Sequence, residues 1–266
     1  MSAEFLHEID WSRPWLKPYA ATAWLLTRAA DWRMQLNALA ASSNLCNHRG
    51  LPIRFVPQAE LPPGVAYEAF ISDTGCVPTR ENLHDFFNAL VWLSFPATKV
   101  QLNALQASVL AQAKVSSIRG KLRDFATIFD ENAAIIVARD SSLIDDLRRH
   151  RWAEVLLGRR DEFWCECEVW LFGHALMEKL VHPYKAVTAH AFPVMVDASY
   201  FRSQSTNKRR WLDLTASRDL SDQLTTSDFT PLPVLGVPGW WEGQDAEFYA
   251  DAKVFRPIRA SKDSRV

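Results

Sequence analysis

Five stretches of this chain repeat apolar residues at helical spacing, and they leave only short segments for anything else. Residues 20–42 carry Ala, Leu, Trp and Met in that period and read as one amphipathic helix. Residues 80–94 and 97–114 follow as a pair divided at Phe95-Pro96, where the proline opens the second helix because its missing N–H is not needed there. Residues 141–157 and 162–182 complete the set. Extended structure is confined to three places. Leu51 to Pro63 sets Ile53, Phe55 and Val56 between prolines, and Ser72 to Thr79 reads as a turn. Residues 126–138 suggest two short strands joined at Asp130-Glu131-Asn132. Ala186 to Val196 reads as a strand whose Pro193 points to an edge. After Ser203 the chain turns polar around Lys208-Arg209-Arg210 and then loop-like through Pro231, Pro233, Gly236, Pro238 and Gly239. The expected fold is α+β, a mostly helical single domain over residues 1–258 with a small antiparallel sheet or hairpins. A flexible tail is expected at 259–266.

The 266 residues are 48% hydrophobic and 23% charged, enough apolar material for a large core and too little polar bias for a disordered chain. Thirty Lys+Arg against 31 Asp+Glu give a formal charge of −1, so no global basic field draws the protein to nucleic acid or anionic lipid. The first 14 residues lack the basic start and apolar run of a secretory signal. No stretch of about 18 apolar residues occurs, so a cytoplasmic protein with no membrane partner is expected. Cys46, Cys76, Cys165 and Cys167 contain no CxxC, and free thiols are expected. Cys46-Asn47-His48 has no second ligand pair at zinc-finger spacing. There is no GxGxxG, no GxxxxGK[ST], no HExxH and no GxSxG, which disfavours nucleotide-loop enzymes, zincins and α/β-hydrolases.

Three segments hold residues that packing alone explains poorly. On the helix over 80–94, Glu81, His84, Asp85, Asn88 and Trp92 fall in about one quarter of the circumference, opposite Leu83, Phe86, Phe87, Leu90 and Leu93. A solvent face and the wall of a polar site both fit that pattern. In Phe172-Gly173-His174-Ala175-Leu176-Met177-Glu178-Lys179, His174 and Glu178 are four apart and share a helix face with Cys167, Trp170, Leu171 and Val181. A carboxylate in such surroundings needs a partner, so a structural His–Glu pair and a functional one are both open. Thr127 with Asp130-Glu131-Asn132 forms the third segment, and acids at a turn are ordinary. His190, Lys99 and Asn103 can join these if the fold brings them near.

The strings from Val77 to Asn88, Phe129-Asp130-Glu131, Phe172 to Lys179 and Thr188-Ala189-His190, with Gly239-Trp240-Trp241 and Val254-Phe255-Arg256-Pro257, resemble a bacterial family catalogued only as a domain of unknown function. The resemblance covers about residues 10–258 and implies one domain, without an activity. The His84-Asp85 doublet is also similar to the pair for which the helical metal phosphohydrolases are named. That class needs a further His and Asp on other helices, which the expected strands do not supply.

Two functional readings follow. In the first the chain is an enzyme, a hydrolase or transferase. Its acid–base chemistry would fall to His84, Asp85, Asn88, Asp130 and Glu131, with a divalent metal ion as cofactor at His174, Glu178 and His190. Lys99 and Asn103 would bind the ligand. In the second it is a non-catalytic module for nucleic acid or a small ligand, with Arg119, Lys121, Lys208, Arg209 and Arg210 beside a stacking platform of Trp240 and Trp241.

Overall fold

The computed structural model describes residues 4–111 and 117–258, with side chains described for all of these except 117–119. The expected tail at 259–266 and the side chain of Arg119 lie outside the described residues. In chain order the elements are α1 (Ala20–Thr27), α2 (Trp32–Ser42), β1 (Arg54–Pro57), α3 (Tyr67–Thr74), β2 (Cys76–Thr79), α4 (Leu83–Ser94), α5 (Pro96–Ala111), α6 (Ser117–Asn132) and β3 (Ala133–Ala138). They continue with α7 (Ser141–Arg148), α8 (Arg160–Glu166), β4 (Cys167–Leu171), α9 (His174–Lys179), β5 (Thr188–Met195), α10 (Ala198–Arg202), α11 (Ser205–Asp219), β6 (Thr230–Pro233) and α12 (Ala246–Ala250). The fold is α+β and mostly helical. Among the described residues no helix is long and apolar enough to cross a membrane.

One sheet orders its strands β4-β3-β5-β6, and β1 pairs with β2 in a separate parallel ribbon. The outer pairings β3–β4 and β5–β6 are antiparallel, while the central β3–β5 pair is parallel. β3 is buried at all six positions, Ala-Ala-Ile-Ile-Val-Ala, the continuous apolar run of a strand covered on both faces. Around it α6 sets Phe125 and Phe129 against Phe192 of β5 and against Phe229. Phe125 stacks on Phe229 at 4.7 Å between centroids, and Phe129 meets Phe172 edge-on at 4.9 Å. Each such ring contributes about 1.5–3 kcal/mol by burial, which fixes α6 on the sheet with its polar side turned away.

Several expectations are corrected. Residues 20–42 form two helices, because Asp31 breaks the run and caps α2 by accepting from the N–H groups of Arg33 and Met34. Residues 126–132 are the last turns of α6, so Asp130 and Glu131 sit at a helix end and not at a hairpin tip. The helix expected over 162–182 is α8, β4 and α9: Cys167 to Leu171 gains more by pairing with Ala134–Ala138 than by continuing a helix. Cys165 is exposed and Cys167 buried across that junction, and all four cysteines are free. Ser72 to Thr79 holds the end of α3 and strand β2 instead of a turn. β5 is interior, and its Pro193 pairs with Ile136 beyond the end of β6, where the missing N–H leaves no ladder bond unmade on the second flank. Lys208, Arg209 and Arg210 lie on α11 and not in a loop.

Pro96 does open a helix, and the N–H groups it leaves are met from a distance. Asp213 of α11 accepts from Ala97 N at 3.0 Å and Thr98 N at 2.8 Å. Burial raises the Asp213 carboxyl above its usual range despite those bonds. This clamp sets the rotation of α5 and so the direction of Lys99.

A candidate metal centre in a polar cavity

The site is assembled where two chain junctions touch. Gly173, between β4 and α9, donates its N–H to Ala133 O at 2.8 Å, and Phe172 donates to the same oxygen at 3.0 Å. A Cβ on Gly173 would stand 2.5 Å from Asn132 N and 2.6 Å from Ala133 N, so only glycine lets these backbones approach. The contact brings His174, first residue of α9, beside Asp130 and Glu131 at the end of α6. On the other side α4 packs on α9. Asn82 caps α4 by accepting from Asp85 N at 2.8 Å and holds His84 in the first turn, facing His174.

The two imidazoles meet edge to face, with centroids 4.4 Å apart and Nε2 to Nε2 at 3.0 Å. His84 Nδ1 lies 2.9 Å from Glu178 Oε2. A carboxylate only accepts, so Nδ1 of His84 carries the hydrogen and its Nε2 is the ring nitrogen that faces His174. Glu131 Oε2 is 3.6 Å from His174 Nε2. One ligand atom from each of His84, Glu131 and His174 falls within 4.8 Å of the others, the one such group of three among the described residues. Two ligands each about 2.1 Å from an ion are about 3.0 Å apart at a right angle and about 3.4 Å at the tetrahedral angle, so the imidazole pair matches adjacent positions on one ion. The carboxylate behind His84 repeats the outer support that metal-bound histidines receive.

The electrostatics suit a cation ligand. Burial holds His174 down at about 4, against the pull of Asp130, so its ring is neutral near pH 7. Its Nδ1 faces Asp130 Oδ1 at 3.9 Å without a hydrogen bond of ordinary geometry. Burial, with the neighbouring Asp130 charge, raises Glu131, which makes no hydrogen bond to the protein among the described residues. Asp130 differs: burial pushes it up, but Lys99, His174 and His84 outweigh that and leave it below its usual range. Lys99 Nζ, almost wholly buried, donates to Asp130 Oδ1 at 2.6 Å and to Asn88 Oδ1 at 2.8 Å, and lies 5.2 Å over the Trp92 ring.

These groups line a cavity of about 370 Å³ together with Gln58, Leu61, Tyr67, Glu68, Arg80, Asp85, Gln106 and Thr127. Glu68 was not singled out by the sequence. Burial, followed by the Asp130 charge, pushes its carboxyl up to about 7, and Asn103 Nδ2 donates to it at 2.6 Å. Its signal in the sequence is only the Tyr67-Glu68 start of a short helix.

Of the residues expected at the site, His84, Asp85, Asn88, Asp130, Glu131 and His174 line this one cavity; Lys99 and Glu178 brace it from behind, and Asn103 orients Glu68. Both Asp85 oxygens are engaged by Arg80, at 3.0 Å from Nε and 2.9 Å from Nη2, so it stands as a strut and not as a free base. His190 stands apart, with Nδ1 3.1 Å from Asn132 Nδ2 and its ring against Phe229. Trp240 and Trp241 line a different notch with Arg13 and Pro14, and Trp240 packs on Trp15. Lys208 pairs with Glu168 and Arg209 donates to Pro18 O, and among the described residues neither they nor Lys121 and Arg210 line the notch of Trp240 and Trp241. A larger groove of about 860 Å³ between α2 and β1 is lined chiefly by apolar side chains, and its few charges do not converge.

Fold and cavity together define an α+β protein with a two-histidine, one-glutamate cluster at the head of a polar pocket. Residues 53–259 match the family described as Protein of unknown function (DUF3025), and the chain belongs to that family. No curated protein and no solved structure matches it.

Proposed function

We propose that the protein is a metal-dependent enzyme, a hydrolase or transferase acting on a small polar substrate, with one divalent cation held by His84, His174 and Glu131. The observation that carries this reading is the convergence of their three ligand atoms within 4.8 Å, with Glu178 fixing the tautomer of His84. In the ion-free protein the short Nε2–Nε2 contact needs a proton between the rings, and a cation replaces it with two lone pairs directed inward. Three protein ligands leave positions open for water and substrate. An ion held by these residues would polarise a carbonyl or phosphoryl oxygen and would lower the pKa of a bound water toward about 7. Glu68, on the same cavity wall and with its carboxyl pushed up to about 7 by burial and the Asp130 charge, is the group suited to give a proton to a leaving atom.

The test is metal analysis of tag-free protein, with thermal unfolding in EDTA and in added Mn²⁺, Zn²⁺ or Mg²⁺. Near-stoichiometric metal, or stabilisation by one of these ions, is expected for wild type and is lost in a His84→Ala, His174→Ala variant. No metal and no stabilisation by any of the three ions would sink the reading.

A further inference from the structure

We propose that the substrate carries an oxyanion, a carboxylate or phosphate, that bridges the bound cation and the guanidinium of Arg80. This rests on the metal reading above and adds the class of molecule the cavity takes.

Among the described residues Arg80 is the only permanently cationic side chain that lines the cavity. Lys99, the other cation nearby, is consumed: it is buried and spends its ammonium on Asp130 and Asn88. Arg80 is differently placed. Its Nε and Nη2 are held by the two oxygens of Asp85, whose side chain is 7% exposed, while the arginine side chain is 56% exposed. Asp85 is itself fixed, since it also accepts from the backbone N–H of Arg80 at 2.6 Å and receives its own N–H cap from Asn82. The guanidinium is therefore set in one orientation before any ligand arrives, and little rotamer entropy remains to be lost on binding. Nη1 makes no hydrogen bond within the described residues. A planar fork with one edge occupied and the other free is suited to a second oxyanion. Arg80 lines the same cavity as His84, Glu131 and His174 and stands four residues before His84, so the free edge and the proposed ion can serve one ligand.

The charge balance adds a condition. Without a metal the lining is acidic: Asp85 is matched by Arg80 and Asp130 by Lys99, whereas among the described residues Glu131 and the nearby Glu178 face only the histidines His174 and His84. An anion entering then would meet net negative charge. A divalent ion would cancel those two acids, remove the repulsion, and offer an open coordination position to an oxyanion. Oxyanion binding is thus conditional on metal. The remaining lining groups without protein partners, Gln58, Gln106 and Thr127, are uncharged donors and acceptors fitted to the polar body of the molecule.

The test uses full-length protein titrated with Mn²⁺ by calorimetry, then with inorganic phosphate or malonate, each with and without Mn²⁺. Wild type should bind one of these anions with Mn²⁺ present and at least about tenfold more weakly without it. Arg80→Gln should keep Mn²⁺ affinity within about threefold and lose at least about tenfold in anion affinity. Arg80→Lys, which keeps the charge but not the fork, should fall between. A preference for phosphate or for malonate assigns the oxyanion. Mn²⁺ binding with no gain in affinity for either anion overturns this inference and leaves the metal reading standing. Anion binding that ignores Mn²⁺ or survives Arg80→Gln also overturns it. Absence of binding to Mn²⁺, Zn²⁺ and Mg²⁺ alike removes both.

Discussion

Replacing Lys99 by methionine isolates the interaction that holds the cavity wall together. Lys99 and Asp130 lie 2.6 Å apart with side-chain exposures of 5% and 10%, so each is the other's counter-charge in a dry setting. Methionine fills nearly the same volume but leaves the Asp130 carboxylate buried and unpaired, a change that costs about 3–5 kcal/mol. At about 2–4 °C per kcal/mol for a chain of this size, the melting temperature should fall by roughly 10 °C in metal-free buffer. The pH dependence carries a sign. In wild type the depressed Asp130 pKa contributes stability above the unfolded value of about 3.9, and that contribution is lost as pH falls through the folded value. In Lys99→Met the carboxyl is raised instead, so the penalty is full near pH 7 and shrinks as pH falls toward 4, where the folded form takes up a proton more readily than the unfolded chain. Denaturant unfolding at pH 7 and pH 4 measures both. The double variant Lys99→Met, Asp130→Asn should recover much of the loss, because it buries no charge. A loss under about 1 kcal/mol, or no recovery in the double variant, would refute the claim that this pair is dry and mutually dependent.

Two further outcomes follow from the same geometry. Glu178→Gln should weaken Mn²⁺ or Zn²⁺ binding by about 10–100-fold with little change in metal-free stability, since Glu178 is 40% exposed and acts on the ion only through His84; competition titration against a chelating dye measures it, and unchanged affinity would remove Glu178 from the site. Glu68→Gln should stabilise the protein above pH 7. The Glu68 pKa is raised, so wild type loses stability as pH climbs from the ordinary carboxyl value of about 4.3 to the folded value of about 7, and the glutamine form escapes that loss. Melting curves at pH 5 and pH 8.5 should diverge only at the higher pH, and a variant less stable there would place Glu68 in a different role.

What the sequence determined by itself is local. The spacing of Leu83, Phe86, Phe87 and Leu90 against His84, Asp85 and Asn88 settles the phase of α4, and Pro96 marks the start of α5, because both depend on side chains one turn apart. The chemical character of the site was legible in the same way: His84, Asp130, Glu131 and His174 are polar groups in apolar settings. Tertiary structure decided the rest. Asp-Glu-Asn before a continuous apolar run suits a hairpin turn, but the packing of Phe125 and Phe129 onto Phe192 and Phe229 carries α6 through those residues. Cys167 to Leu171 has helical neighbours in sequence, yet β3 offers it a ladder that no local signal announces. Which acids meet which histidine was decided by the approach of Gly173 to Asn132 and Ala133, a contact across about 40 positions of chain. That contact brought Glu131 to His174, and the cavity they head also takes in Glu68, for which the sequence gave no sign.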